Sequence, residues 1–240
     1  MAKNLKDSWE KSYRRGDNFV FYPHEEVIRF VSKYIRKQTG LNDFLNVATL
    51  VPHSTPKVLD LGCGIGRHVK FCYEMGLDAH GVDLSEVAIK MARSWLSSVG
   101  SFDADSRIVQ ADVRQLPWGD GYFTFAVSHG VLDSMPWEIA RAACLELARV
   151  MVPGGLFYCD LISGDDSSHA REYSGAEVVR TKHEENTVQL YFNMQLIRDL
   201  IRDCFAIKEC KLIRSEDVLS GGYHSRYHLV LSRIRLSESN

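Results

Sequence analysis

The chemistry legible in this chain lies in one glycine loop and three acids. The loop reads Val58-Leu-Asp-Leu-Gly62-Cys-Gly64-Ile-Gly66-Arg67-His68. Glycines between a strand and a helix let the backbone come close to a ligand, at the place where a nucleotide-like group belongs. Asp60 precedes the first glycine by two residues. A carboxylate there repels a pyrophosphate and favours a ligand with a cationic end, such as an ammonium or a sulfonium. Asp83 ends the next strand, roughly 20 residues beyond the loop, where it can accept both ribose hydroxyl hydrogens. Asp112 follows a third strand and can accept an adenine amino hydrogen. Three acids at the carboxyl ends of three successive strands can line one crevice.

A strand and helix alternation must position these groups. Residues 57–61, 78–84, 107–111, 122–128 and 156–162 read as strands. Helical spacing falls at 67–75, in the stretch capped by Ser85 that runs to Leu96, and at 136–151. Pro153-Gly154-Gly155 reads as a turn. Strands alternating with helices imply right-handed crossovers and a parallel sheet. Before them, 23–37 is an amphipathic helix with Val27, Phe30, Val31, Tyr34 and Ile35 on one face, followed by a loop holding Pro52 and Pro56. After residue 163 the alternation stops. A hairpin is expected over 177–192, a helix over 195–204, and strands over 207–213 and 223–234. No repeat or linker interrupts the chain, so one domain is expected over 1–240: an aromatic N-terminal part (1–56), a core (57–163) and a final part (164–240).

Composition sets the outer bounds. The chain has 240 residues, 45% hydrophobic and 25% charged, which is ordinary globular composition. A net charge of −2 advertises no nucleic-acid partner. No apolar run approaches the ~20 residues needed to span a bilayer. The polar N-terminus lacks the apolar stretch of a signal peptide. The six cysteines form no C-x-x-C pair and have no histidine at zinc spacing. A cytoplasmic protein without a metal is expected.

On the segments VLDLGCGIGRH, GVDLS, QADVRQLPW and VMVPGGLFYCD, in that order, the chain resembles the class I S-adenosylmethionine-dependent methyltransferases of small-molecule type. The resemblance covers roughly residues 57–163. It implies a Rossmann-like, doubly wound, mostly parallel seven-stranded α/β sheet whose last two strands form an antiparallel hairpin. It implies S-adenosyl-L-methionine as cofactor. Carried over by position, Gly62, Gly64 and Gly66 let the backbone approach the cofactor, and Asp60 bonds near its amino acid end. Asp83 holds the ribose and Asp112 the adenine amino group; Leu84 and Val113 flank the ring. Ser128 and His129 lie where the fourth strand meets cofactor and substrate. The N-terminal W-x-x-x-Y segment implies a lid, with Tyr13 and Tyr22 as its candidates.

The same resemblance narrows the acceptor. Members that methylate exocyclic amino groups carry an Asn/Asp-Pro-Pro-aromatic segment after strand four. This chain has Ser128-His129-Gly130-Val131. Metal-dependent members need an acid at that place, so Asp160, Asp165 and Asp166 are not read as magnesium ligands. His129 is the expected general base, its ordinary pKa of ~6.5 suiting proton removal from a hydroxyl or amine. Asp133 either orients it or begins the next helix. Arg180, Lys182 and His183, or else Arg226 with His224 and His228, can face an anionic acceptor such as a sugar or sugar phosphate; a solvated face is the plainer reading of both. Two alternatives stay open: a catalytically silent S-adenosylmethionine-binding protein, and an NAD(P)-dependent oxidoreductase. Against the latter stand Asp60 and Arg67, which takes the place of the fingerprint's last glycine.

Overall fold

The computed structural model describes residues 2–50, 54–170 and 172–235, so the expected loop residue Pro52 lies outside the described residues. Two helices lead the chain, α1 (Ala2–Arg15) and α2 (Glu25–Tyr34), followed by a short hairpin of β1 (Arg36–Gln38) and β2 (Phe44–Asn46). The alternating core then runs β3 (Lys57–Leu61), α3 (Arg67–Glu74), β4 (Asp78–Asp83), α4 (Glu86–Leu96), α5 (Ala104–Arg107) and β5 (Ile108–Gln110). It continues through β6 (Phe123–Ser128), α6 (Trp137–Val150) and β7 (Met151–Ile162). An inserted hairpin, β8 (Gly175–Val178) and β9 (Val188–Tyr191), precedes α7 (Met194–Ile201), β10 (Phe205–Glu216) and β11 (Tyr223–Arg233).

Seven strands form one sheet in the order β10-β11-β7-β6-β3-β4-β5. The β3–β7 pairings are parallel, and β11 runs antiparallel to both β7 and β10. This is the expected fold, including the C-terminal hairpin. The chain winds outward from β3 in both directions, and such a reversal opens a crevice at the carboxyl ends of the strands. Leu59, Phe125, Phe157 and Leu231 are buried among helices on the two faces. No described helix is long and apolar enough to cross a membrane.

Local chemistry accounts for the element ends. Ser85 Oγ accepts the Ala88 N–H, capping α4, and Asn193 does the same for α7 at Leu196. The expected turn at 153–155 is instead a bulge inside a continuous β7. From Met151 to Leu156 that strand advances five positions while its partner advances two, Phe123 to Phe125. The expected strand at 107–111 begins at Ile108, because Asp103 caps the short α5 that takes up Arg107.

One buried ion group fixes the loop after β6. Arg226 on β11 donates through Nε to Asp160 Oδ2 at 2.7 Å and through Nη2 to Asp133. Asp160 also accepts the Gly130 N–H at 2.7 Å, and Asp133 the Ile162 N–H at 2.8 Å. Asp133 therefore neither orients His129 nor starts a helix. Arg226 is not a solvated or anion-gripping residue, because the chain's own carboxylates saturate it. His228 is buried and bonds the Tyr158 hydroxyl at 2.8 Å; only His224 is exposed. Removing the cation would leave two buried carboxylates unpaired, which costs more than the pair was worth. Arg226→Leu should lower stability by about 2–4 kcal/mol, read as a fall of roughly 4–16 °C in Tm. Adding Asp133→Asn to that variant should recover part of the loss.

Candidate active site

A cavity of about 390 Å³ lies over the carboxyl ends of β3, β4, β5 and β6, beneath α1. Gly62 and Gly64 form part of its floor with φ of +74° and +54°. A Cβ on Gly62 would stand 2.5 Å from Val131 Cγ2, and one on Gly64 2.8 Å from Tyr13 Oη. Only glycine suits both the backbone and the space. Gly66 does not line the cavity; its Cβ would meet Leu96 Cδ1 at 2.8 Å, so that glycine serves the packing of α3 on α4.

Asp83 stands at the centre of the wall. Its Oδ2 accepts the Gly64 N–H and its Oδ1 the Ser85 N–H, both at 2.9 Å. Burial pushes its carboxyl up to about 6, against the pull of those two N–H groups. Each oxygen keeps a lone pair toward the cavity, the arrangement that two vicinal hydroxyls require. Leu84, Asp112 and Val113 extend the wall. Arg114 grips Asp112 through Nε at 2.9 Å and Nη2 at 2.6 Å, which holds that carboxyl below its usual range.

Asp60 and Ser128 depart from expectation. Both are buried, and neither lines the cavity. Neither carboxyl oxygen of Asp60 nor the Ser128 hydroxyl has a hydrogen-bond partner, and His68 Nδ1 stands 3.7 Å from Asp60 Oδ2. Tyr22 is 81% exposed and outside the cavity, so of the two lid candidates only Tyr13 reaches it. Arg180, Lys182 and His183 are exposed; their neighbour Glu184 lines the cavity instead.

The lid is anchored at two places that sequence reasoning did not find. Glu10 on α1 accepts the Glu86 N–H at 2.6 Å and the Val87 N–H at 3.3 Å, at the start of α4. Ser8 donates to the Asn186 carbonyl at 3.3 Å, in the turn of the inserted hairpin. Buried Tyr13, Ser8 and Ser12 complete the inner face of α1.

His129 lines the cavity, but its ring is not arranged as a base. Arg67 Nη2 stands 3.2 Å from His129 Nδ1. An arginine only donates, so Nδ1 accepts, and the ring proton of the neutral form is on Nε2. Nε2 faces Asp160 Oδ2 at 3.6 Å. The one ring lone pair is thus already taken. Burial pushes the ring's pKa down to about 3, outweighing the attraction of Asp160, and His24, Arg67 and His68 add to the fall. The expected ionisation near neutrality is therefore corrected: His129 is neutral throughout the ordinary pH range. The missed residue is Arg67, which the sequence marks only as the place where a dinucleotide glycine is absent.

Among the described residues no group of three His, Cys, Asp or Glu side chains could hold a metal ion. What the site offers is a glycine floor, a buried carboxylate at Asp83 and the helix α1 above them. Residues 59–159 match the family described as "Methyltransferase domain". That stretch, from β3 to β7, is thus similar to a methyltransferase domain. Over 134 residues it is 31% identical to a ubiquinone biosynthesis O-methyltransferase of Thiobacillus denitrificans, covering 55% of this chain and 56% of that one. The chain thus spans somewhat over half the length of that curated relative. Among solved structures, a 1,6-didemethyltoxoflavin-N1-methyltransferase of Burkholderia thailandensis, with 1,6-didemethyltoxoflavin and S-adenosylhomocysteine bound, superimposes with a TM-score of 0.65. It is 18% identical, over 98% of this chain and 89% of that one. A SAM-dependent methyltransferase of Methanosarcina mazei superimposes with a TM-score of 0.63 at 19% identity, over 79% of this chain and 99% of that one. At these identities the two structures show the fold alone.

The cofactor of a methyltransferase domain is S-adenosylmethionine, and the residues present fit it. Asp83 offers free lone pairs for the ribose, and Gly62 and Gly64 line the cavity next to it. Asp60 is a buried carboxylate without a donor of its own, the partner an ammonium group calls for, directly or through water. Because the ionised form of Asp83 accepts the hydroxyls, affinity for S-adenosylhomocysteine should be full above pH about 6. Below it, affinity should fall by up to ~10-fold per pH unit. Calorimetry across pH 5–8 reads this, and Asp83→Asn should abolish the dependence.

Proposed function

We propose that the chain transfers the methyl group of S-adenosylmethionine to a small-molecule acceptor. The observation that carries the reading is the lidded cavity in which Asp83, Gly62 and Gly64 converge. In this reading Asp83 holds the ribose hydroxyls and Asp112 the adenine amino group, with Leu84 and Val113 against the ring. Asp60 neutralises the cationic end from beneath the floor. The cofactor supplies an activated methyl on a sulfonium. The chain's task is to align a nucleophile with the sulfur–methyl axis and to exclude water. Tyr13 and α1 close the cavity over both.

The acceptor follows from what His129 does not do. A sugar hydroxyl is a poor nucleophile unless a base removes its proton, and His129 offers no free lone pair for that. The acceptor is a hydroxyl acidic enough to ionise by itself, or an amine that is already neutral. The two relatives, one an O-methyltransferase and one an N1-methyltransferase, are in keeping with either.

Binding of S-adenosylhomocysteine, with no response to NAD, is the expected calorimetric result. Asp83→Ala should weaken it by ~30–1000-fold, the loss of about 2–4 kcal/mol of charge-assisted hydrogen bonding, in a chain that still melts cooperatively. An unchanged affinity would defeat the cofactor assignment. Labelled methyl should then appear in a product when the protein is given S-adenosylmethionine and a metabolite extract; binding without any product would favour the silent cofactor-binding alternative.

The lid has its own test. The sheet begins at Lys57, and α1 packs on its outside, so removing residues 1–22 should leave a cooperatively melting core. That core should bind S-adenosylhomocysteine more than ~10-fold more weakly and lose turnover in parallel. Full activity in the shortened chain would rule the lid out.

A further inference from the structure

We propose that Arg67 forms an oxyanion-holding site at the His129 end of the cavity, taking a carboxylate or an ionised hydroxyl of either the cofactor or the acceptor. The proposal rests on the methyl-transfer reading above and names the chemistry that one wall of that site accepts.

Arg67 opens α3, is half-buried and lines the cavity beside His129. Its two described hydrogen bonds go to neutral groups: Nη1 donates to the Tyr22 carbonyl at 3.4 Å and Nη2 to His129 Nδ1 at 3.2 Å. Among the described residues it forms no ion pair. Arg226, which faces two carboxylates, Arg149, which faces Glu146 and Asp120, and Arg107, which faces Asp78, do; half-buried Arg36 and Arg233 likewise bond backbone carbonyls, but unlike Arg67 neither lines the cavity. A guanidinium removed from water normally finds an anion, and five N–H groups leave Arg67 with donors to spare.

None of the three carboxylates of the lining pairs with Arg67, and Glu184 stands 3.6 Å from His183 Nε2 instead. Asp112 is gripped by Arg114, and Asp83 is held by the Gly64 and Ser85 N–H groups. Asp60 and Asp160 act on Arg67 through space without touching it. The planar guanidinium fork matches a carboxylate or phenolate oxygen in shape as well as charge. His129 is then a positioning residue. Its Nδ1 lone pair fixes one N–H of the fork and turns the remainder toward the cavity.

Two ligands can present the oxyanion. One is the methionyl carboxylate of the cofactor. The other is the acceptor itself, ionised beside the cation. In that case the acceptor oxygen forms its bond to the methyl carbon as the carbon–sulfur bond breaks. The sulfonium keeps that electron pair and becomes a thioether. The acceptor's negative charge is cancelled and no proton moves.

Calorimetry on the full chain separates the cases, with wild type and Arg67→Met compared. The probes are S-adenosylhomocysteine, its analogue lacking the carboxylate, and benzoate titrated into the S-adenosylhomocysteine complex. A loss of ~10–100-fold in S-adenosylhomocysteine affinity, absent with the decarboxylated analogue, assigns the site to the cofactor. Unchanged S-adenosylhomocysteine affinity with benzoate binding abolished assigns it to the acceptor. Both measurements unchanged within twofold overturn the proposal. Should Arg67→Met fail to fold, wild type alone decides: it must discriminate against the decarboxylated analogue by ~10-fold or bind benzoate, and doing neither overturns the proposal. If wild type does not bind S-adenosylhomocysteine, the cofactor reading fails separately. Benzoate binding to the unliganded protein, lost in Arg67→Met, would still uphold the Arg67 site, and no benzoate binding would overturn it.

Discussion

Arg226 holds Asp160 and Asp133 together, and the geometry of the site follows from that contact. Asp160 lies within the antiparallel junction between β7 and β11, opposite His228, and through the Gly130 N–H it fixes the first turn after β6. Asp133 pins the far end of the same loop to Ile162 and also accepts the Arg226 fork. The loop 128–134 is therefore held at both ends by one cation. His129 and Val131 sit within it, His129 beside Arg67 and Val131 against Gly62. A shift of that loop would disturb the floor and the methyl side of the cavity at once. Such a group is expensive to bury and is worth its cost in position rather than in stability.

The parts of this arrangement that were legible in the sequence are local ones. The glycine loop, Asp83 at a strand end and the Ser85 cap each depend on neighbours within a few residues, and period and spacing report them. The parallel order of five strands follows from alternation alone. What was not legible depends on contacts between distant positions. Arg226 meets Asp133 across 93 residues and Asp160 across 66, and nothing in the pattern of β11 distinguishes an arginine pointing into an ion group from one facing water. His129 was found by position, but its chemistry is set by Arg67, 62 residues earlier. The β7 bulge hid behind Pro153-Gly154-Gly155, a sequence that serves a turn and a bulge equally well.

The N-terminal helix and the inserted hairpin support each other across the cavity. The α1 lid reaches the inserted hairpin through Ser8 and Asn186, and Glu184 from that hairpin completes the lining. The insertion has its own clamp. His169 stacks on Tyr173 with ring centres 4.4 Å apart and pairs with Asp166 and Glu177. Burial works against its charged form, but the two carboxylates outweigh it and raise its pKa. Its contribution is therefore complete below the ordinary histidine range and is lost as pH rises through the raised value. Asp83 runs the other way, since its hydroxyl-accepting form is present only above about 6. The paired form of His169 and the ionised form of Asp83 thus overlap best in a window near neutrality.

The burial that deprives His129 of basicity also makes it dependable. A ring with a pKa near 6.5 would gain a proton on Nδ1 within the ordinary pH range, and that N–H would point straight at the Arg67 guanidinium. The hydrogen bond would become a repulsion between two cations, and the arginine would turn away. With its pKa pushed down to about 3, the ring stays neutral near neutral pH, so Nδ1 remains an acceptor for the Arg67 N–H. Asp160 reinforces the same tautomer from the opposite side by facing Nε2. Arg67 is thereby held as a cation that pairs directly with no described carboxylate, while Asp60 and Asp160 act on it through space. A methyl donor that is itself a cation has most to gain from an acceptor delivered as an anion, and Arg67 is a cation that the lining presents beside His129.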